Sequence, residues 1–343
     1  MQVTAEQERG LIVAVLAALG ATAEEQQCVA EALTEADLRG YASHGLLRFP
    51  LMVRRVQAGT ARLGAAPRVA SQRGAMALLD GDLGLGPFVA TRAVDLATAL
   101  AREHGLGVVG VFNNNHISLV GYYVERAARA GLIALATTTG DAGVHPYGGV
   151  ARLLGTNPLA VAFPTADEPF LLDMATSVGT FGRVFVARQL GEAIPEDWAV
   201  DAAGEPTSDP AVALTGSLRP FGGAKGYGLG LCLAILAGAL VRAAQGPGVI
   251  GTIEPTDPTT KGDLFIALDP AAVGGADAVR AAASAYLADV RGSRQAPGSA
   301  GIRIPGERGL RVRAERLAAG IPMDPATWEV VEALAREVGA GRG

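Results

Sequence analysis

Apolar positions recur at helical spacing from residue 4 to 58, at Leu11, Val15 and Leu19 and again at Val29 and Leu33, and Thr22 followed by Glu24 or Glu25 has the form of a capped helix start. The spacing predicts a helical N-terminal segment. Beyond Val69 the pattern changes to short apolar runs separated by turns. It predicts a strand over 75–79, a Gly-rich turn over 80–86 and a helix over about 87–103. Further strands are expected at 108–112, 133–137, 159–163, 171–173 and 264–268, and further helices at 121–130, 226–244, 277–290 and 325–339. Residues 183–221 mix polar, Pro and Gly residues without clear periodicity, which predicts a long functional loop. The fold class is therefore α/β. The expected division is a helical N-terminal subdomain over 1–68, an α/β core over 69–304, and a C-terminal segment over 305–343 that packs back on the helical subdomain.

Composition narrows the function classes. With 343 residues, 49% of them hydrophobic and 18% charged, the chain can bury a full core. Its 46 glycines and only 5% aromatics imply tight turns and close packing by small residues. A net charge of −5 with thinly spread Lys and Arg leaves no basic footprint, so no nucleic-acid partner is expected. Leu11 to Gly20 is apolar but preceded by Glu6 and Glu8, which reads as a helix rather than a secretory signal. The uncharged run 226–241 is shorter than the roughly 18 residues of a membrane span. A soluble cytoplasmic protein is expected, with Cys28 and Cys232 as unpaired, buried thiols. The four histidines, His44, His104, His116 and His145, show no zinc-site spacing, and no metal is expected.

Ser43-His44 with Arg48 places a hydroxyl, an imidazole and a guanidinium within six residues, just after a helix-like run ends at Gly40. An imidazole beside a fixed cation suits a site that holds a carboxylate and moves a proton next to it. Asn113-Asn114-Asn115-His116 follows a predicted strand directly, where ligands bind in α/β proteins. Thr156 and the stretch from Asp173 to Ser177 repeat that placement of polar residues beside strands, although Asp173 also reads as a helix cap. Gly105-Leu106-Gly107-Val108-Val109-Gly110 spells the dinucleotide fingerprint, but its glycines leave a helix and enter a strand, the reverse of the order that binds a pyrophosphate. Gly222-Gly223-Ala224-Lys225-Gly226 opens an apolar helix and offers amides and an ammonium to a phosphate, or forms a plain turn.

Taken together, Asp37 to Pro50, Asn113 to His116, Tyr147 to Gly149 with Leu154 to Pro158, Leu172 to Ser177, Gly222 to Gly228 and Pro305 to Glu307 resemble the malate/L-lactate dehydrogenase family of the non-Rossmann type. The resemblance spans nearly the whole chain. It implies a mixed-sheet, non-Rossmann NAD(P)-binding core with a small helical subdomain from the two chain ends. It further implies a homodimer with sites near the interface, and hydride transfer between NADPH or NADH and a small-molecule carboxylate, a 2-oxo or 2-hydroxy acid. Carried over position by position, His44 would be the proton donor, with Ser43 and Asp173 orienting it. Arg48 would bind the substrate carboxylate and Thr156 would contact the substrate. His116, Val120, Met174, Ala175, Thr176, Lys225, Gly306 and Glu307 would hold the cofactor, His116 also being a rival for the acid–base role and a candidate substrate contact. Two departures from the family pattern, Thr138-Thr139-Gly140 with His145 and Tyr147, and Asp263 after Gly262, predict an altered pocket. A reductase of cyclic imines and a noncatalytic dinucleotide-binding dimer are the alternative readings.

Overall fold

The computed structural model describes residues 1–340. The chain opens with a two-residue strand, β1 (Gln2–Val3), and the helices α1 (Ala5–Ala18), α2 (Ala23–Leu38) and α3 (Phe49–Gln57). Thr4 and Thr22 each cap a helix reciprocally with the residue three positions on, Gln7 and Glu25. The central part contains β2 (Arg68–Arg73), β3 (Met76–Asp80), α4 (Gly86–His104), β4 (Leu106–Phe112), α5 (Val120–Arg129), β5 (Ile133–Thr138), β6 (Leu159–Phe163) and β7 (Phe170–Met174). Next come α6 (Phe181–Leu190), β8 (Ala199–Val200), α7 (Pro210–Thr215), β9 (Ser217–Leu218), α8 (Ala224–Ala237) and β10 (Asp263–Leu268). The chain then returns through α9 (Ala276–Gly292), α10 (Glu307–Ala319), β11 (Ile321–Pro322) and α11 (Pro325–Glu337).

Seven strands form one sheet in the order β2-β3-β4-β10-β5-β6-β7. Only β3 and β4 pair in parallel, joined by the crossover helix α4; every other pairing is antiparallel. That is a mixed sheet rather than a doubly wound one. The glycines of the false fingerprint now have a packing role. Gly105 ends α4 in a left-handed conformation with φ 82°, and in β4 a Cβ at Gly107 would overlap the backbone of α4. The register brings Asn113 to His116, Thr138, Lys261 to Asp263, Thr156 to Pro158 and Asp173 to one edge of the sheet.

A single apolar core joins the sheet to the N-terminal helices, with Leu33, Leu46, Phe49, Val89, Val109, Tyr123 and Phe265 at most 1% exposed. β1 pairs with β11, α11 packs on α1 and α3, and α10 packs on α2. Arg39, 4% exposed, joins Glu35 of α2 at 2.8 Å to Glu125 of α5 at 2.6 Å.

Several expectations are corrected. Residues 183–221 are not a loop: α6, β8, α7 and β9 fold around their own small core of Val144, Leu154, Val184, Ile194, Ala199, Ala213 and Leu218. β8, α7 and β9 are too short to show two full turns or pleats of periodicity, and α6 buries only Val184, so it shows no apolar stripe. The strand β2 and the helix α10 were missed, β2 because all six residues are exposed and carry no apolar alternation. The helix at 276–292 forms but buries none of its residues, so it adds nothing to the core. Cys232 is exposed and Cys28 half-buried, because Cys232 lies on the outer face of α8. That face leaves Leu231, Ile235 and Leu236 at 40%, 50% and 40% exposure, and the segment 224–241 meets the length and apolarity of a membrane span.

Candidate active site

The stretch Ala42 to Arg48 forms two single turns of 3-10 helix hinged at Gly45. Leu46, fully buried, anchors the turn with roughly 2 kcal/mol of apolar burial. Asp37 at the end of α2 accepts the Leu46 amide at 2.6 Å, and a Cβ at Gly45 would overlap that carboxylate. The turn therefore holds one shape. Ser43 Oγ lies 3.0 Å from His44 Nδ1, and Arg48 Nε donates to the Ser43 carbonyl at 3.0 Å. Both terminal amines of Arg48 are left without a protein partner among the described residues.

The β4–α5 connection meets this turn. Ser118 Oγ donates to the His44 carbonyl at 2.5 Å, and the His44 and His116 rings lie 5.9 Å apart. Asn113 and Ser118 adopt positive φ of 53° and 63°, a strained backbone of the kind kept where side chains must be aimed. The Ser118 amide donates to His116 Nδ1 at 3.1 Å, so neutral His116 carries its proton on Nε2. Burial and the Arg48 charge push the His44 pKa down to about 4. His116 is pushed well below the ordinary histidine value by burial, then Arg48 and His44. Both rings are neutral bases at neutral pH.

Arg48, Met52, Arg55, Asn115, His116 and Thr252 line a narrow pocket between α3 and the β4–α5 connection. Its cover is the segment 251–258, held by Arg55, which donates to the Glu254 and Asp257 carbonyls at 2.6 and 2.9 Å and to Asn115 Oδ1 at 2.8 Å. Asp173 accepts the Gly121 amide at 2.6 Å, fixing the start of α5 and buried Val120. No hydrogen bond joins Asp173 to His44 among the described residues. Burial raises the Asp173 pKa to about 6.

On the other flank, the Thr176 amide and hydroxyl both donate to the Thr156 carbonyl, at 2.8 and 2.9 Å. The Phe221 amide returns to the Thr176 carbonyl at 3.0 Å, and a Cβ at Gly230 would sit 2.8 Å from Thr176 Oγ1. Thr156, Met174 to Thr176 and the start of α8 are thus one assembly. Gly182 of α6 borders Ser43, and Gly306, at φ 92°, lets the turn into α10 close on Leu171 of β7. Glu307 is engaged by Arg291 at 2.6 Å and by the Ile304 amide at 3.0 Å.

A nicotinamide dinucleotide fits these residues. Gly222 and Gly223 take left-handed φ of 55° and 62°, no side chain caps α8, and exposed Lys225 makes no ion pair among the described residues. An uncapped helix N-terminus and an ammonium there would hold a phosphate of the dinucleotide. Asn114 Oδ1 is buried without a donor among the described residues.

Neither departure lines the pocket. Asp263, fully buried, is neutralised by Lys261 at 2.5 Å and takes the Asn114 amide at 2.8 Å. Thr138 and Thr139 fasten the Gly262 backbone, while Tyr147 is 63% exposed. Sequence reasoning missed Arg55 and Lys261. The signal for Lys261 was its rarity, for the chain holds only two lysines. No group of three metal-ligating side chains occurs among the described residues.

Residues 3–332 match the malate/L-lactate dehydrogenase family. Over 338 residues the chain is 38% identical to an L-sulfolactate dehydrogenase of Methanothermobacter thermautotrophicus, covering 98% of this chain and 97% of that protein. It is 36% identical to a Delta(1)-pyrroline-2-carboxylate reductase of Ancylobacter novellus over 326 residues, 93% of each chain. The solved sulfolactate dehydrogenase of Methanocaldococcus jannaschii superposes with a TM-score of 0.94 at 37% identity, covering 99% of this chain and 98% of that one.

Proposed function

Because the chain belongs to the malate/L-lactate dehydrogenase family and is an oxidoreductase of that family, we propose that it interconverts a small 2-oxo acid and its 2-hydroxy acid with NADPH or NADH, His44 moving the proton and Arg48 holding the carboxylate. The observation that carries this reading is the pair of free Arg48 amines beside the neutral His44 ring on one turn. A planar guanidinium grips a carboxylate at two points and so fixes the direction of the adjacent C=O. The bound nicotinamide supplies or accepts the hydride.

In oxidation, neutral His44 takes the hydroxyl proton, and Ser43 holds the far side of the ring. In reduction, the substrate carboxylate offsets the Arg48 charge that depresses His44, so binding itself favours the protonated donor. His116, with its proton on Nε2, lines the pocket beside Arg48 and is a second donor and a contact for cofactor or substrate. Asp173 acts on the site through Gly121 and Val120. Thr156 borders the substrate. Met174, Ala175, Thr176, Lys225, Gly306 and Glu307 frame the cofactor.

The protein acts as a soluble, cytoplasmic homodimer in this reading. Its support is the outer face of α8, where Leu231, Ile235 and Leu236 stand exposed on a helix whose N-terminus frames the cofactor cradle. A second copy covering that face places the sites near the interface. The Ancylobacter relative favours one alternative substrate class, cyclic imino acids. The test is loss of nicotinamide absorbance with NADPH and NADH against a panel of 2-oxo acids and a cyclic 2-imino acid. Turnover of a 2-oxo acid is expected; turnover of the imino acid alone replaces C=O by C=N, and cofactor binding with no turnover of any acid rejects the reading.

A further inference from the structure

The N-terminal helix places a carboxyl directly behind the catalytic turn, where the mechanism above gives it no task. Glu8 of α1 is fully buried, and so is Thr34 of α2; Asp37 is 3% exposed. The Glu8 carboxyl lies against both the Thr34 hydroxyl and the Asp37 carboxylate. With all acids ionised, both Glu8 oxygens and Thr34 Oγ1 lack partners. Buried carboxyl oxygens without partners are costly, and a proton on Glu8 gives that carboxyl a donor to share with Asp37. Protonated Glu8 then donates to Asp37, and Asp37 still accepts the Leu46 amide at 2.6 Å.

We propose that Glu8 is a protonated positioning residue whose hydrogen bond to Asp37 holds the Gly45–Leu46 hinge, and with it Ser43, His44 and Arg48, in working geometry. Glu8 touches no reacting atom. Its influence passes through Asp37, the one carboxylate seated against both the Leu46 amide and the space a Gly45 side chain would need.

The surroundings agree with a held proton. Burial first, then the Asp37 charge, raises the Glu8 pKa to about 9. The charged groups facing the pair are Arg9 on α1 itself and, on α10, Arg316, which also donates to the Asp37 carbonyl at 2.5 Å. α11, packed on the other side of α1, contributes no charge to either group among the described residues. Above about pH 9 Glu8 ionises, two carboxylates face each other in a buried site, and the hinge loosens.

The positioning claim rests on the oxidoreductase reading, so its test has one arm that needs no substrate. In the first arm, kcat/KM for hydroxy-acid oxidation is followed from neutral to strongly alkaline pH. Wild type is expected to fall above about pH 9. Glu8→Gln, which keeps a neutral donor, is expected to stay within about two-fold of wild type at pH 7 and to lose the alkaline fall. An alkaline fall shared by both proteins overturns the proposal. In the second arm, amide hydrogen exchange over residues 42–48 is compared at pH 7 for wild type, Glu8→Gln and Glu8→Ala, each with its folded state checked by circular dichroism. Faster exchange in Glu8→Ala alone is expected, with kcat down by about ten-fold or more and cofactor Kd unchanged. Wild-type exchange in Glu8→Ala overturns the proposal even if every acid is turned over. Faster exchange in a protein that oxidises no hydroxy acid supports the hinge and rejects the hydroxy-acid reading.

Discussion

The two flanks of the site are built differently. The Ser43–Arg48 turn is closed from behind by buried Leu46, by Asp37 and by the core of the N-terminal helices. The Gly222–Ala237 flank has an uncapped helix start and an apolar outer face open to solvent. Groups that move a proton need fixed geometry, and the chain supplies it alone. In the proposed reading the cofactor flank is completed by what binds there, a phosphate at the helix start and a second copy on its outer face.

Breaking the closed flank should have the largest effect. Arg48→Ala removes both the charge and the two-point grip, and kcat/KM for the acid should fall by about 10³-fold while cofactor Kd stays within two-fold. A steady-state assay beside a fluorescence titration of NADPH separates the two. Arg48→Lys keeps the charge but not the planar fork, so a smaller loss, roughly ten-fold and mostly in KM, is expected.

The open flank should respond in assembly before chemistry. Ile235→Asp puts a charge in the middle of the exposed α8 face, and sedimentation should show the dimer's affinity weakened by about thirty-fold or more. An unchanged dimer would place the interface elsewhere.

The pH dependence sharpens the comparison on the chemical side. Because the folded enzyme holds His44 down to about 4, the base form persists as pH falls, and kcat/KM for hydroxy-acid oxidation should stay level well below 6.5 before dropping. A limb near pH 6 that disappears in Asp173→Asn would assign acid control to Asp173 instead. The smallest effect is expected at the false fingerprint. Gly105→Ala strains a left-handed helix end and brings a Cβ within 2.9 Å of Ala272, costing about 1–2 kcal/mol of stability and a few degrees of Tm, with cofactor Kd unchanged.

The sequence was legible where an element alone declares itself. The strand at 159–163 reads to the residue, and rejection of Gly105 to Gly110 as a phosphate loop follows from the order of helix and strand. Ser43, His44 and Arg48 declare themselves as a compact polar set on one turn. Arg55 and Glu8 do not, because each takes its meaning from partners 60 and 29 positions away, as Asn115 and Asp37 show; Lys261 pairs with Asp263 two positions on, and only the fold brings Thr138 and Asn114 to that pair. The fold of 181–221 was hidden for a related reason: its small core borrows Val144 and Leu154 from outside the segment.

The central claim is that His44 moves the proton, and the most direct measurement is single-turnover reduction of a 2-oxo acid by bound NADPH in His44→Ala and His116→Ala. The account predicts a loss of about 10³-fold in His44→Ala with cofactor binding intact, partly restored by added imidazole, and a smaller loss in His116→Ala. A His44→Ala enzyme that reduces the acid at the wild-type rate, with His116→Ala the inactive one, would contradict it.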